Sequence, residues 1–141
     1  MLYTPGEIAK NYIDIGKRKA GMPWDKMFLL AVMAGIYIAV AGCGASTAAC
    51  TIGGSAGKLV GACVFPAGLT LVLLAGSELF TGNCLLVIPA LEREISLGAM
   101  LRNWLIVYLG NFAGSVLIAW MAVYSHQLSL FDGQLAAATV N

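Results

Sequence analysis

Residues 59–91 read LVGACVFPAGLTLVLLAGSELFTGNCLLVIPAL, thirty-three positions in which a single charged side chain, Glu78, interrupts an otherwise uncharged run. An unbroken helix of that length would measure about 50 Å at about 1.5 Å per residue, against a hydrocarbon core of about 30 Å. It is too long for one crossing and too short for two. The economical solution is a broken helix: an apolar segment from Leu59 to about Ala75, an irregular stretch GSELFTGN at 76–83, and a short second half over 84–91. Backbone exposed at such depth is tolerated only where protein buries it or where it lines a cavity. The break frees N–H and C=O groups, and the N-terminal end of the helix that follows carries partial positive charge, which favours anions. Thr81, Asn83 and the Gly82 amide are the donors such a break offers, while Phe65, Leu69 and Leu79 are candidates for apolar constrictions. An unpaired carboxylate at Glu78 would be costly and would repel an anion. Glu78 is therefore given a structural part, accepting hydrogen bonds from loop amides or carrying a proton, with direct proton handling as the alternative.

Two further apolar stretches flank this region. Residues 27–57 and 103–131 contain no Lys, Arg, Asp or Glu. The first holds a span at about 27–48, with Gly35, Ala39 and Gly42 as a small-residue stripe that lets another helix approach closely, and residues 53–57 (GGSAG) form a flexible turn. The second holds a span at about 104–124, bounded by Trp104 and Tyr108 at one end and Trp120 and Tyr124 at the other, as interfacial aromatic belts require. Within it Gly110 and Gly114 make a GxxxG face, and Asn111 beside them is placed to bond across to another helix. Before the first span, Thr4-Pro5-Gly6-Glu7 is a capping box that starts a helix. Ile8, Tyr12 and Ile15 share one face of it, so residues 1–22 form an amphipathic helix that either lies along the membrane surface or caps the spans.

Composition agrees. Of 141 residues 60% are hydrophobic and 11% charged, where soluble domains carry roughly 25% charged residues. The chain is expected to be an all-α, multi-pass membrane protein of the cell inner (plasma) membrane. With the N-terminus cytoplasmic, Lys10, Lys17, Arg18, Lys19, Lys26, Arg93 and Arg102 lie inside and only Lys58 outside, a strong positive-inside bias. Basic, polar residues precede the first apolar run, so no cleavable signal is expected. Cys43, Cys50, Cys63 and Cys84 have no CxxC spacing and read as small buried hydrophobes. His126 reads as a solvated residue of the outer loop. The residues suggest no nucleophile and base pair, metal cluster, phosphate loop or cofactor motif, so neither an enzyme nor a metal site is expected. The net charge of +1 implies no nucleic-acid partner.

Phe65-Pro66-Ala67-Gly68-Leu69, nine intervening residues, then Leu79-Phe80-Thr81 within ELFTGN at 78–83 resemble the second-helix signature of the formate/nitrite transporter family, which includes hydrosulfide channels. The order of an amphipathic helix, a glycine-rich span, a broken span and a span containing Gly-Asn is similar over essentially the whole chain. The resemblance implies an aquaporin-like six-span protomer of two inverted three-span repeats, assembled as a homopentamer with one pore per protomer. It places Phe65 at an outer constriction, Leu69 and Leu79 at an inner slit, and Thr81 on a mobile loop beside the central cavity. The implied function is passage of small monovalent anions (formate, nitrite or hydrosulfide), with proton coupling an open part of it, because a neutral acid crosses an apolar constriction more cheaply than a bare charge.

The family's second repeat contributes a second broken helix with a pore histidine, and a lysine near the pore. Nothing here matches either, and His126 is misplaced for that role. The chain is accordingly expected to be the N-terminal half: a three-span repeat over 23–124, followed at 125–141 by an outer loop and the start of a connection to a missing C-terminal repeat. Partners are then the anion, membrane lipid, other copies and that repeat. Two alternatives stay open: an aquaporin-like neutral-solute channel, although no Asn-Pro-Ala motif is present, and a non-transporting membrane assembly subunit.

Overall fold

A computed structural model describes residues 3–140, with side chains over 3–137; residues 1, 2 and 141, at the ends of the segments expected at 1–22 and 125–141, lie outside the described residues. Every regular element described is helical. Helix α1 (Pro5–Ala20) opens on the capping box: the Thr4 amide donates to Glu7 Oε2 at 2.7 Å and the Glu7 amide to Thr4 Oγ1 at 3.4 Å. The hydrogen bond from the Thr4 amide, then that from its hydroxyl, holds the Glu7 carboxyl below its ordinary range.

Three helical rods are long and apolar enough to cross a membrane: α2 (Trp24–Ile52), the joined pair α3 (Gly54–Val64) and α4 (Pro66–Ala75), and α7 (Leu97–Tyr124). Between α2 and α3 the chain reverses at Gly53 and Gly54 alone, with φ of 70° and 59°. Two positive-φ glycines suffice to turn it, so 55–57 are helical rather than part of a longer turn. Phe65 joins α3 to α4 in helical conformation (φ −54°, ψ −41°), so Pro66 removes a donor without breaking the direction of the rod. Helix α4 ends at Gly76, left-handed at φ 63°. A short apolar half-helix follows: α5 (Phe80–Asn83), a 3₁₀ turn (Cys84–Leu86) and α6 (Val87–Leu91). After α7 come a second 3₁₀ turn (Gln127–Ser129) and α8 (Gln134–Val140).

Two rods exceed the apolar spans read from the sequence. Helix α2 continues to Ile52, and α7 begins at Leu97, where the Ser96 hydroxyl accepts the Ala99 amide at 3.1 Å. A cap sets where a helix starts, whereas hydropathy marks only the part that can sit in lipid.

Packing centres on the α2–α7 contact. Met27, Ala31 and Val107 are fully buried there, with Met22, Phe80 and Ile106 against them. Two glycines permit the approach: a Cβ added at Gly35 would overlap the Asn111 carbonyl, and one at Gly114 the Val32 carbonyl. On the other side of α2, a Cβ at Gly61 would come within 2.8 Å of the Ala45 carbonyl oxygen and one at Gly68 within 2.7 Å of Ala41 Cβ. By contrast Leu74 (82% exposed) and Leu91 (78%) lie open, as faces do that lipid or further protein must cover. Cys63 and Cys84 stand on such open faces, contrary to the buried positions expected of them; Cys43 and Cys50 are half-buried, and all four are free thiols.

Candidate functional site

The interruption after α4 is held partly by α4 itself and partly by neighbouring helices. The Ser77 amide donates to the Val72 carbonyl at 3.0 Å, and the Glu78 amide leaves the segment altogether for the Leu30 carbonyl of α2 at 3.3 Å. Asn111, at the midpoint of α7, clips the rest. Its Oδ1 accepts the Phe80 amide at 2.8 Å, and its Nδ2 donates to the Ala31 and Glu78 carbonyls at 2.8 and 2.9 Å. Because Asn111 satisfies the first amide, the helix restarts at Phe80. The irregular stretch is therefore 76–79, shorter than 76–83, and Thr81, Gly82 and Asn83 occupy a helical turn. The Phe80 ring seats this turn by edge contacts to Trp104 and Tyr108, with centroids 6.3 and 5.6 Å away.

Glu78 is 3% exposed, and its partners are not loop amides. Those amides are spent on Val72, Leu30 and Asn111, so the carboxylate is met by side chains from other elements. Lys19 Nζ, at the end of α1, donates to Oε1 at 2.6 Å, and Asn83 Nδ2 donates to Oε2 at 2.7 Å. Lys19 also reaches Asn83 Oδ1 at 3.1 Å, and the second Asn83 amide hydrogen goes to Asn103 Oδ1 at 2.9 Å. Asn103 Nδ2 closes the network on the Lys19 carbonyl at 3.3 Å. A buried acid is thus neutralised by one cation and hydrogen-bonded by one amide, which Asn103 in turn holds in place, as a low-dielectric setting demands. Asn83, 1% exposed with both amide hydrogens in use, has no side-chain donor left for an anion.

Thr81 and Gly82 differ. Both are exposed, and the Thr81 hydroxyl has no hydrogen-bond partner among the described residues. They line a groove of about 470 Å³ with Leu69, Leu79, Asn83, Tyr12, Lys19 and Ser77. Phe65 is not in its wall; it stands one turn from Leu69 on the same helical face, half exposed. Tyr12 donates its phenol to the Gly82 carbonyl at 3.0 Å. Burial pushes that phenol above its ordinary value, and the nearby Glu78 carboxylate and Cys84 add to the shift. A second, more open groove of about 810 Å³ adjoins the first across Lys19, Val72, Leu73 and Ser77. Lys17, Arg18, Lys19 and Lys26 line it. Lys17 pairs with Glu94 at 2.6 Å, which raises its pKa. Arg18 and Lys26 have no carboxylate in salt-bridge range among the described residues. Ser77 Oγ, in the wall the two grooves share, is buried without a hydrogen-bond partner among the described residues.

The sequence reading missed Tyr12, Lys19, Ser77 and Asn103. One signal could have found Lys19: an acid inside a span needs a cation, and the candidates were the basic residues just before the first span. Tyr12 and Asn103 carry no local signal, since each acts on a turn 70 and 20 residues away in the chain.

The sequence model of the family described as formate/nitrite transporter matches residues 6–141. A probable formate transporter of Methanothermobacter thermautotrophicus is 38% identical over 144 residues, covering 97% of this chain and 53% of that protein. The formate channel FocA of Escherichia coli K12 is 34% identical over 136 residues, covering 94% and 48%. The formate channel BtFdhC of Bacillus thuringiensis is 32% identical over 145 residues, covering 98% and 54%. The chain spans about half the length of these relatives. With a match over nearly its whole length and helices long enough to cross a membrane, the chain belongs to the formate/nitrite transporter family.

Proposed function

We propose that this chain forms one half of a channel for small monovalent anions such as formate, nitrite or hydrosulfide. The observation that carries the reading is the Thr81 hydroxyl, unpartnered on a turn beside an interrupted helix and opening into a groove that adjoins a lysine- and arginine-lined one. The basic groove concentrates anions. Glu78, neutralised by Lys19, does not repel them. Thr81 and the adjoining backbone then replace part of an anion's hydration shell, while Leu69 and Leu79 narrow the passage so that a protonated, neutral species crosses more readily than a bare charge. Phe65 is the outer constriction in this scheme. Asn83 serves it by fixing Glu78 rather than by touching the anion.

In the same proposal 1–22 caps the cytoplasmic side, 23–124 is one three-span repeat of an aquaporin-like protomer in the inner membrane, and 125–141 leads towards an inverted second repeat. Protomers of that kind assemble as a pentamer. What supports this is the family and the near-half coverage of relatives named as formate channels and transporters.

Flux into liposomes tests it. The protein, extracted from its membrane in native assembly, is expected to pass formate above empty vesicles, and Thr81→Ala to lower that flux roughly tenfold, the loss of one hydrogen bond to a charged group. Water or glycerol passage without anion passage would instead favour a neutral-solute channel, and Thr81→Ala at the parent flux would remove Thr81 from the route.

A further inference from the structure

Helix α5 has four residues, Phe80–Asn83, before the chain tightens into a 3₁₀ turn. A helical segment that short does not hold its own shape, because nucleation costs more than one turn of hydrogen bonds returns. Besides the contacts of the Asn83 side chain, three side chains outside the segment bond to its backbone: Asn111 on the Phe80 amide at 2.8 Å, Trp104 Nε1 on the Asn83 carbonyl at 2.8 Å, and Tyr12 on the Gly82 carbonyl at 3.0 Å. Asn111 and Trp104 both belong to α7, and they hold the two ends of the turn. Of these three, Tyr12 alone comes from α1, and it holds the backbone of the residue next to Thr81.

Helix α1 is itself anchored. Lys19 joins it to Glu78 and Asn83, Lys17 joins it to Glu94 at 2.6 Å, and a Cβ at Gly16 would stand 2.6 Å from Pro89 Cγ. Tyr12 is therefore a fixed point rather than a swinging arm, and it also lines the groove that Leu69, Leu79 and Thr81 line.

We propose that Tyr12 is a positioning residue of the groove: its hydroxyl sets the Gly82 carbonyl, and so the turn that presents the Thr81 hydroxyl. It acts through Thr81 and needs no contact of its own with the permeating species. The placement stands on the contacts alone; its consequence for anion passage rests on the function proposed above.

Tyr12→Phe removes the hydroxyl and keeps the ring, and two readouts test it. In the first, Thr81→Cys is introduced after the four native cysteines are replaced, and its modification by a water-soluble methanethiosulfonate is timed in the assembled protein. Freed from its tether, the turn is expected to react about two- to tenfold faster with Tyr12→Phe present, the range that one net hydrogen bond spans. In the second, formate flux is expected to fall by a similar factor in Tyr12→Phe, with no further fall when Tyr12→Phe is added to Thr81→Ala. An unchanged modification rate overturns the proposal, and so does a flux loss that multiplies in full on the Thr81→Ala background. If the parent protein passes no anion, the anion-channel reading fails by itself, and the modification rate alone decides the part played by Tyr12.

Discussion

Lys19→Met is expected to be the most damaging single substitution in the chain, costing about 3–5 kcal/mol and emptying the membrane of assembled protein. The reason lies in what it leaves behind. Glu78 has a side chain only 4% exposed and meets the Lys19 ammonium at 2.6 Å. Without that cation an ionised carboxylate would remain in a setting that stabilises no charge, supported by a single amide from Asn83. Asn83 would lose one of its own acceptor contacts at the same time. Methionine keeps the length of the lysine stem, so lost volume does not account for the effect. The check is thermal unfolding in detergent with assembly followed by size exclusion. The double variant Lys19→Met with Glu78→Gln should recover part of the loss, since it removes the orphaned charge as well.

Asn111→Leu ranks second. Leucine is close in size and suits an apolar helix, so simple hydropathy predicts a harmless or stabilising change. The structure predicts the opposite, because Asn111 is a clip with both ends in use. Its removal leaves the Phe80 amide without an acceptor and the Glu78 carbonyl without its 2.9 Å donor, both in the half-buried interior of the break. Each such group costs about 1–3 kcal/mol when left unpaired. The turn bearing Thr81 should lose its register, and anion flux should fall more than in Thr81→Ala. Unfolding and flux measured on the same preparation separate the two effects, and a variant as stable and as active as the parent would show that the clip is not needed.

Much of the α-helical layout could be read from residue chemistry alone. The charge-free runs mark apolar helices because a bilayer admits little else, and Gly110 and Gly114 announce a close crossing because small residues let backbones meet, with Asn111 beside them placed to bond across it. The length of the 59–91 run pointed to an interruption because an uninterrupted helix of that length matches no whole number of crossings. What stayed hidden was the identity of the partners. Nothing local distinguishes Lys19, which is half-buried against Glu78, from Lys10, Lys17 or Arg18 on the same helix; that depends on where α1 docks. Asn83 was taken for a donor to the anion because it is a polar side chain in the stretch read as the break, and it proves to have both its amide hydrogens used by Glu78 and Asn103. The length of the interruption was likewise set from outside, by an asparagine 31 residues along the chain that lets the helix restart at Phe80.

In the proposed channel the segment after α4 opens onto the path an anion takes. Cysteine placed at Thr81, with the native cysteines replaced and the assembled protein in liposomes, tests this directly when formate flux is followed before and after a membrane-impermeant thiol reagent. The expected result is that modification stops the flux and that formate slows the modification. A residue modified without effect on flux, or reached only by a lipid-soluble reagent, would mean that this turn faces away from the route.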